Sequence, residues 1–186
     1  MRAPIRFSLS RDLLPLHEFP PDARQFGTPA FLDAAAAHFR SQFGGGTVEA
    51  GVVGDGLTIT WIPDDAGIDP VAYAVALLEK RQHPIAVPML RGLLADHPND
   101  PTVLYNLGLG ESDLGQLDDA VAHLGALVAA HPTHANAQVA LGVAHGRAGR
   151  TDEAIAALDA AVRLAPDNRV PSASVHENDC LGELAS

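Results

Sequence analysis

Two consecutive stretches decide the fold: PTVLYNLGLGESDLGQLDDAVAHLGALVAAHPTH, Pro101–His134, and ANAQVALGVAHGRAGRTDEAIAALDAAVRLAPDN, Ala135–Asn168. Laid over one another without a gap, Leu107 falls on Leu141, Gly108 on Gly142 and Gly115 on Gly149. Asp118 then meets Asp152, Ala120 meets Ala154, Leu124 meets Leu158 and Pro132 meets Pro166. The period is 34 residues, and a fixed period of this length marks a stacked repeat. Each recurring residue has a mechanical role. Gly108 with Ala120, and Gly142 with Ala154, put small side chains on both helices of a pair and allow close approach. Gly115 and Gly149 end the first helix, where a left-handed residue is needed and glycine supplies it most cheaply. Asp118 and Asp152 are placed to accept from the free amides that open the second helix. Pro132 and Pro166 stop that helix. Leu124, Leu127, Leu158 and Ala161 hold its buried face at helical spacing.

These residues resemble the tetratricopeptide repeat (TPR), a helix–turn–helix unit. The resemblance is full over 101–134 and 135–168, with two departures. Leu104 and Gln138 stand at a fourth position that is often a large aromatic, and Glu111 and His145 stand at an eleventh that usually is. The window before them, 67–100, is a degenerate copy. It keeps Ala74, Ala86, Leu90, Leu93 and Pro98 in register, has Arg81 where the turn glycine belongs, and carries Pro84 and Pro88 early in its second helix. Pro84 suits a first turn, whereas Pro88 is expected to delay or kink the helix. A terminal repeat of this atypical kind reads as a cap.

Working outward, residues 1–66 lack the period. Ile5–Ser10 alternates as a half-buried strand, 30–43 gathers Phe31, Leu32, Ala35, Ala36, Phe39 and Phe43 on one helical face, and strands at 47–53 and 57–62 flank Gly54-Asp55-Gly56, a hairpin signal. The expected unit is a small α+β (β-α-β-β) one, its helix packed on a three-stranded sheet. So few residues form a marginal core alone, so the unit is expected to lean on the first helices of the array. The whole is therefore mainly α: a TPR superhelical array over 67–168 preceded by the α+β unit 1–66, with a tail, 169–186, that starts no fourth repeat and forms at most a short helix at 175–184. A poorly capped end near Leu141 and Leu158 is an association liability.

The composition narrows the function. The formal charge is −11, and no segment is basic: 5 basic against 8 acidic groups in 1–66, 6 against 12 in 67–168, 1 against 3 in 169–186. Binding to nucleic acid or to an anionic membrane surface would run against this field. No apolar run reaches the length of a membrane span, and the arginine-containing start lacks the apolar stretch of a secretory signal. Cys180 is the sole cysteine, so no internal disulfide forms, which fits a reducing compartment. A cytoplasmic protein is expected. One lysine, Lys80, among twelve basic residues suggests a bacterial coding background.

No catalytic or cofactor constellation stands out. Gly108-Leu109-Gly110 lacks the third glycine and the strand of a dinucleotide site. His17, Glu18 and Asp22 sit in a proline-rich loop without catalytic spacing. His97, His131 and His134 sit at repeat ends, beside Pro98 and Pro132, and read as helix C-terminal histidines that interact with the last carbonyls of a helix. None has the acidic or cysteine partners of a closed metal set. His145 reads as a core filler. No enzyme, no metal and no cofactor is expected.

The resemblance implies that ligands meet the concave face, lined by the first helix of each pair: Val71, Val75 and Leu78; Thr102, Tyr105, Asn106, Leu109 and Ser112; Asn136, Val139, Val143 and Arg147. Some TPR co-chaperones grip a peptide carboxylate there with a clamp of lysines, arginine and asparagines. Of those positions only Asn106 matches, and the others hold Val71, Val75, Asn136 and Ala140. The expected role is a scaffold whose mostly apolar groove binds an apolar peptide, helix or partner domain. Two alternatives stand beside it: self-association through uncapped repeat ends, and a regulatory or enzymatic module whose activity resides in the N-terminal unit.

Overall fold

The computed structural model describes residues 4–64 and 69–164. Strand β1 (Ile5–Ser10) is followed by two short 3-10 turns, helix α1 (Pro29–Phe43), strands β2 (Thr47–Val53) and β3 (Gly56–Ile62), and then helices α2 (Pro70–Glu79), α3 (His83–Asp96), α4 (Pro101–Asp113), α5 (Leu117–Ala130), α6 (Ala135–Arg147) and α7 (Thr151–Leu164). The described chain is mostly helical, with one antiparallel sheet in the order β1-β3-β2.

The alternation expected of β1 is realised. Ile5, Phe7 and Leu9 are buried while Arg6, Ser8 and Ser10 face out. From β3, Leu57, Ile59 and Trp61 join them on the same face. The hairpin turns through Gly54 at φ +65°, a backbone angle open to glycine at the first position of a two-residue loop. Helix α1 opens with Pro29 behind Thr28, whose Oγ1 accepts from the Phe31 amide at 3.2 Å, and closes on Gly44 in the left-handed region. Its buried face of Phe31, Ala35, Ala36, Phe39 and Phe43 is apolar at helical spacing. Phe43 stacks on Trp61 at 4.5 Å, and the Trp61 Nε1–H, which burial would otherwise leave unpaired, donates to the Gly45 carbonyl at 2.9 Å.

The N-terminal unit and the first helices share one core, as expected for a unit too small to stand alone. Tyr73 of α2 meets Phe43 edge-on at 5.4 Å. Ala74, Leu77, Ala86, Val87, Met89, Leu90 and Leu93 belong to the same buried cluster as Phe7, Phe39 and Trp61. Helix α3 lies against β1, the outer strand of the sheet, and Gly92 makes this possible. A Cβ there would collide with the Arg6 carbonyl oxygen and come within 3.6 Å of Ile5 Cγ2. An open strand edge invites foreign pairing, and α3 covers this one.

The helix pairs repeat in detail. At the end of each first helix the chain turns through a left-handed residue, Arg81 at φ 60°, Gly115 at 76° and Gly149 at 75°. The next amide reaches back each time: Gln82 to the Leu77 carbonyl at 2.9 Å, Gln116 to Glu111 at 2.8 Å, Arg150 to His145 at 2.9 Å. Arg81 thus adopts the glycine geometry without being glycine. Asp100 caps α4, its Oδ1 accepting from Thr102 and Val103 amides at 2.8 and 3.0 Å, and Asp69 caps α2 through the Ala72 amide at 3.1 Å.

Four expectations need correction. Asp118 is no cap: α5 follows Gln116 without a side-chain cap, and Asp118, in the first turn, accepts from Arg150 instead. Pro88 does not delay its helix, since α3 begins at His83 and runs through Pro88. The amide that proline lacks would have met the Pro84 carbonyl, so the helix forgoes one bond in its first turns and continues. Gly108 makes room for a side chain rather than for a helix backbone, since a Cβ there would run into Leu124, whereas a Cβ on Gly142 would stand 2.7 Å from Leu158 Cγ and 3.1 Å from the Ala154 backbone oxygen, the close backbone approach expected of it. His134 is a helix start, not a helix end. Its Nδ1 accepts from the Ala137 amide at 3.1 Å to cap α6, and its ring stacks on Tyr105 at 5.7 Å. The tail, with Cys180, lies outside the described residues, as do Pro166 and the segment at 175–184.

Candidate functional site

Helices α2, α4 and α6 carry all twelve groove candidates. The 34-residue period sorts six of them into two rows, Val71–Tyr105–Val139 and Val75–Leu109–Val143, one member from each helix. The helices meet through specific contacts. Leu78 fills the space beside Gly110, its Cδ2 lying 2.9 Å from where a Cβ would stand. Arg147 Nη1 donates to Ser112 Oγ at 2.9 Å, joining α6 to α4.

Val71, Val75, Tyr105, Leu109 and Val139 are half-buried, and Val143 is 45% exposed. Thr102, Asn136 and Arg147 are exposed. Asn106 is half-buried and its Nδ2 donates to the Thr102 carbonyl of its own helix at 2.8 Å. Two candidates are occupied by the fold. Ser112 is buried beneath Arg147, and Leu78 is spent on α4. Tyr105 presents one face to His134. At one end of α4, Asp113 lies 3.1 Å from His83 Nε2 and 3.7 Å from Arg147 Nη1, so this end carries both signs of charge.

Sequence reasoning missed the main polar cluster. Glu111, at the position expected for an aromatic, is fully buried. Arg91 of α3 donates from Nε and Nη2 to its Oε1 at 2.9 and 2.7 Å, and His123 Nδ1 of α5 lies 2.7 Å from its Oε2. Arg91 Nη2 also reaches Asp119 at 2.7 Å and Gln116 at 3.1 Å. The hydrogen bond to Glu111 holds the His123 pKa above its ordinary value, against the opposing effect of burial. A carboxylate taken out of water needs this completeness of partners. The only signal in the sequence was the misfit of a glutamate at an apolar position. One repeat later the corresponding residue is His145, whose Nδ1 is buried without a hydrogen-bond partner. Where Arg91 and His123 would recur stand Gly125 and Ala157. The cluster pins three helices, α3, α4 and α5, together. Among the described residues, no three His, Cys, Asp or Glu side chains are grouped to hold a metal, and no helix is long and apolar enough to cross a membrane.

Comparison with known proteins agrees with the geometry. The tetratricopeptide repeat family model matches residues 105–169. Among solved structures, the chain is similar to YrrB, described as a TPR protein with an unusual peptide-binding site, at 25% identity and a TM-score of 0.50 over 55% of each chain. MamA from Desulfovibrio magneticus RS-1 (residues 41 to the end) is 22% identical, with a TM-score of 0.49 over 53% of this chain and 55% of that one. MamA of AMB-1 is also 22% identical, with a TM-score of 0.49 over 54% and 62%. The chain thus spans between 55% and 62% of the length of these three proteins. No curated protein matches it. Residues 105–169 match the tetratricopeptide repeat family model, and over them the helices α4 to α7 have the paired geometry of that repeat.

Proposed function

We propose that the chain is a protein-interaction scaffold and that α2, α4 and α6 receive an apolar segment of another protein, a peptide or one face of a helix. The observation that carries this reading is the pair of rows Val71–Tyr105–Val139 and Val75–Leu109–Val143: apolar side chains at matching positions on the first helices of three successive pairs, all left partly open to solvent. An apolar surface of this continuity needs a partner. Thr102, Asn106 and Asn136 beside the rows supply polar atoms able to fix the orientation of a bound backbone. The likeness to YrrB, a TPR protein described as having a peptide-binding site, supports the class of ligand. The acidic character of the chain disfavours nucleic acid and anionic membrane as partners. A soluble setting in the cytoplasm of a bacterium fits the composition, and the reading assigns no catalytic step to the chain.

The test is affinity capture with the wild type and with a Val75→Glu/Val139→Glu double variant, whose fold is verified by circular dichroism. Loss of the captured partner in the variant is expected. An unchanged set of partners removes the groove from the account.

A further inference from the structure

The 34-residue period lets the two regular pairs be compared position by position, and their interiors differ. Between them α4 and α5 bury Leu104, Leu107, Leu124 and Leu127, and Glu111 is closed in by Arg91 and His123. The same places in the next pair hold Gln138, Leu141, Leu158 and Ala161, with His145 for Glu111. The buried residues of α7 are Ala154, Ala157 and Ala161, and its Leu158 lies against Gly142. Ala161 removes less surface from water than Leu127 does. Gln138 is a buried polar residue where Leu104 is apolar, and the His145 Nδ1 is buried without a partner among the described residues, which costs free energy in an interior. Among the described residues, the buried apolar clusters include none from α7.

Helix α6 is held more firmly. Its Ala140 and Ala144 pack with Leu124, Tyr105 and Leu109, His134 stacks on Tyr105, and Arg147 donates to Ser112 of α4. Beyond α6 the chain turns through Gly149, left-handed at φ 75°, and Arg150 donates to Asp118 of α5. The turn is thus anchored on α5, and α7 begins at the next residue, Thr151.

We propose that α7 is a hinged end helix, which undocks from α6 by pivoting beyond Arg150 while α1 to α5 stay folded. In a stack of repeats each unit is held only by its neighbours, and a unit with few buried apolar contacts opens at lower free energy than the core. Undocking removes the backing of α6, the helix that carries Val139 and Val143. It therefore governs how well the third member of each groove row is formed. That consequence rests on the groove proposed above; the opening itself does not.

Hydrogen exchange of the full chain without any partner, read by mass spectrometry, tests the opening. Amides of α7 are expected to exchange about tenfold or more faster than those of α5. Ala157→Gly weakens α7 alone, and should speed its exchange roughly fivefold further while leaving α5 unchanged. Equal protection of α5 and α7 overturns the proposal, as does an Ala157→Gly chain in which both helices accelerate together. Affinity capture tests the link to the groove. Ala157→Gly is expected to retain less partner than the wild type, and equal retention overturns the link. Failure of the groove itself shows differently, as capture unaffected by Val75→Glu/Val139→Glu.

Discussion

Arg81 and Gly115 occupy the same place in successive repeats with nearly the same backbone angle, φ 60° and 76°, and they isolate the contribution of one dihedral. Space around Gly115 is open, with nothing within 4 Å of a Cβ placed there, so Gly115→Ala costs only the left-handed conformation, about 1 kcal/mol. Arg81→Gly removes the same strain but frees the unfolded chain, so a gain of about 0.5 kcal/mol is expected. Urea denaturation of the full chain measures both. Glu111 and Arg91 are unequal partners. Arg91→Met leaves a fully buried carboxylate with His123 alone and should cost about 3 kcal/mol, whereas Glu111→Gln leaves Arg91 its contact with Asp119 and should cost about half as much. Because the His123 pKa is raised in the folded protein, its contribution is complete below about pH 6.5, the unfolded value, and is lost as pH rises through the folded value. Stability should therefore fall as pH rises above about 6.5, and His123→Gln should flatten that part of the profile.

At the scale of elements, periodicity was a reliable guide wherever one face is buried and the other wet. β1, α1 and the β2–β3 hairpin fall within one residue of where alternation, helical spacing and Gly54-Asp55-Gly56 place them. Local rules misled where a neighbour decided the outcome. Asp118 looks like a cap in isolation, but Arg150 of the following turn takes its carboxylate. Glu111 at an apolar position could not be explained without Arg91, twenty residues earlier on another helix. Pro88 forgoes its helical bond to the Pro84 carbonyl, yet α3 runs unbroken from His83 to Asp96 with Val87, Met89 and Leu90 beside it buried in the shared core. The groove candidates came from the family resemblance, and two of them, Leu78 and Ser112, are consumed by contacts between helices that spacing cannot reveal. The junction of α3 with β1 makes a further prediction. Gly92→Val would force the helix off the Arg6 carbonyl, and overpacking of this kind costs about 1–3 kcal/mol. Thermal denaturation should show that loss, while Gly125→Ala, on a helix position with open space, should be neutral or stabilising by up to about 1 kcal/mol.

Over the whole molecule, the α+β unit and the first helix pair form one core, so the proline-disturbed pair is less an outer cap than the joint between a sheet and an array. That joint covers the edge of β1, and the regular repeats, α4 to α7, extend from it and continue the two apolar rows that begin on α2. The central claim is that the rows hold a partner. The most direct measurement places a photo-crosslinking amino acid at Val139, within a row, or at Ala156, exposed on α7, in otherwise identical full-length protein. The account predicts an adduct with a second protein from Val139 and none with that protein from Ala156. Adducts of equal yield from both positions, or from Ala156 alone, would contradict it.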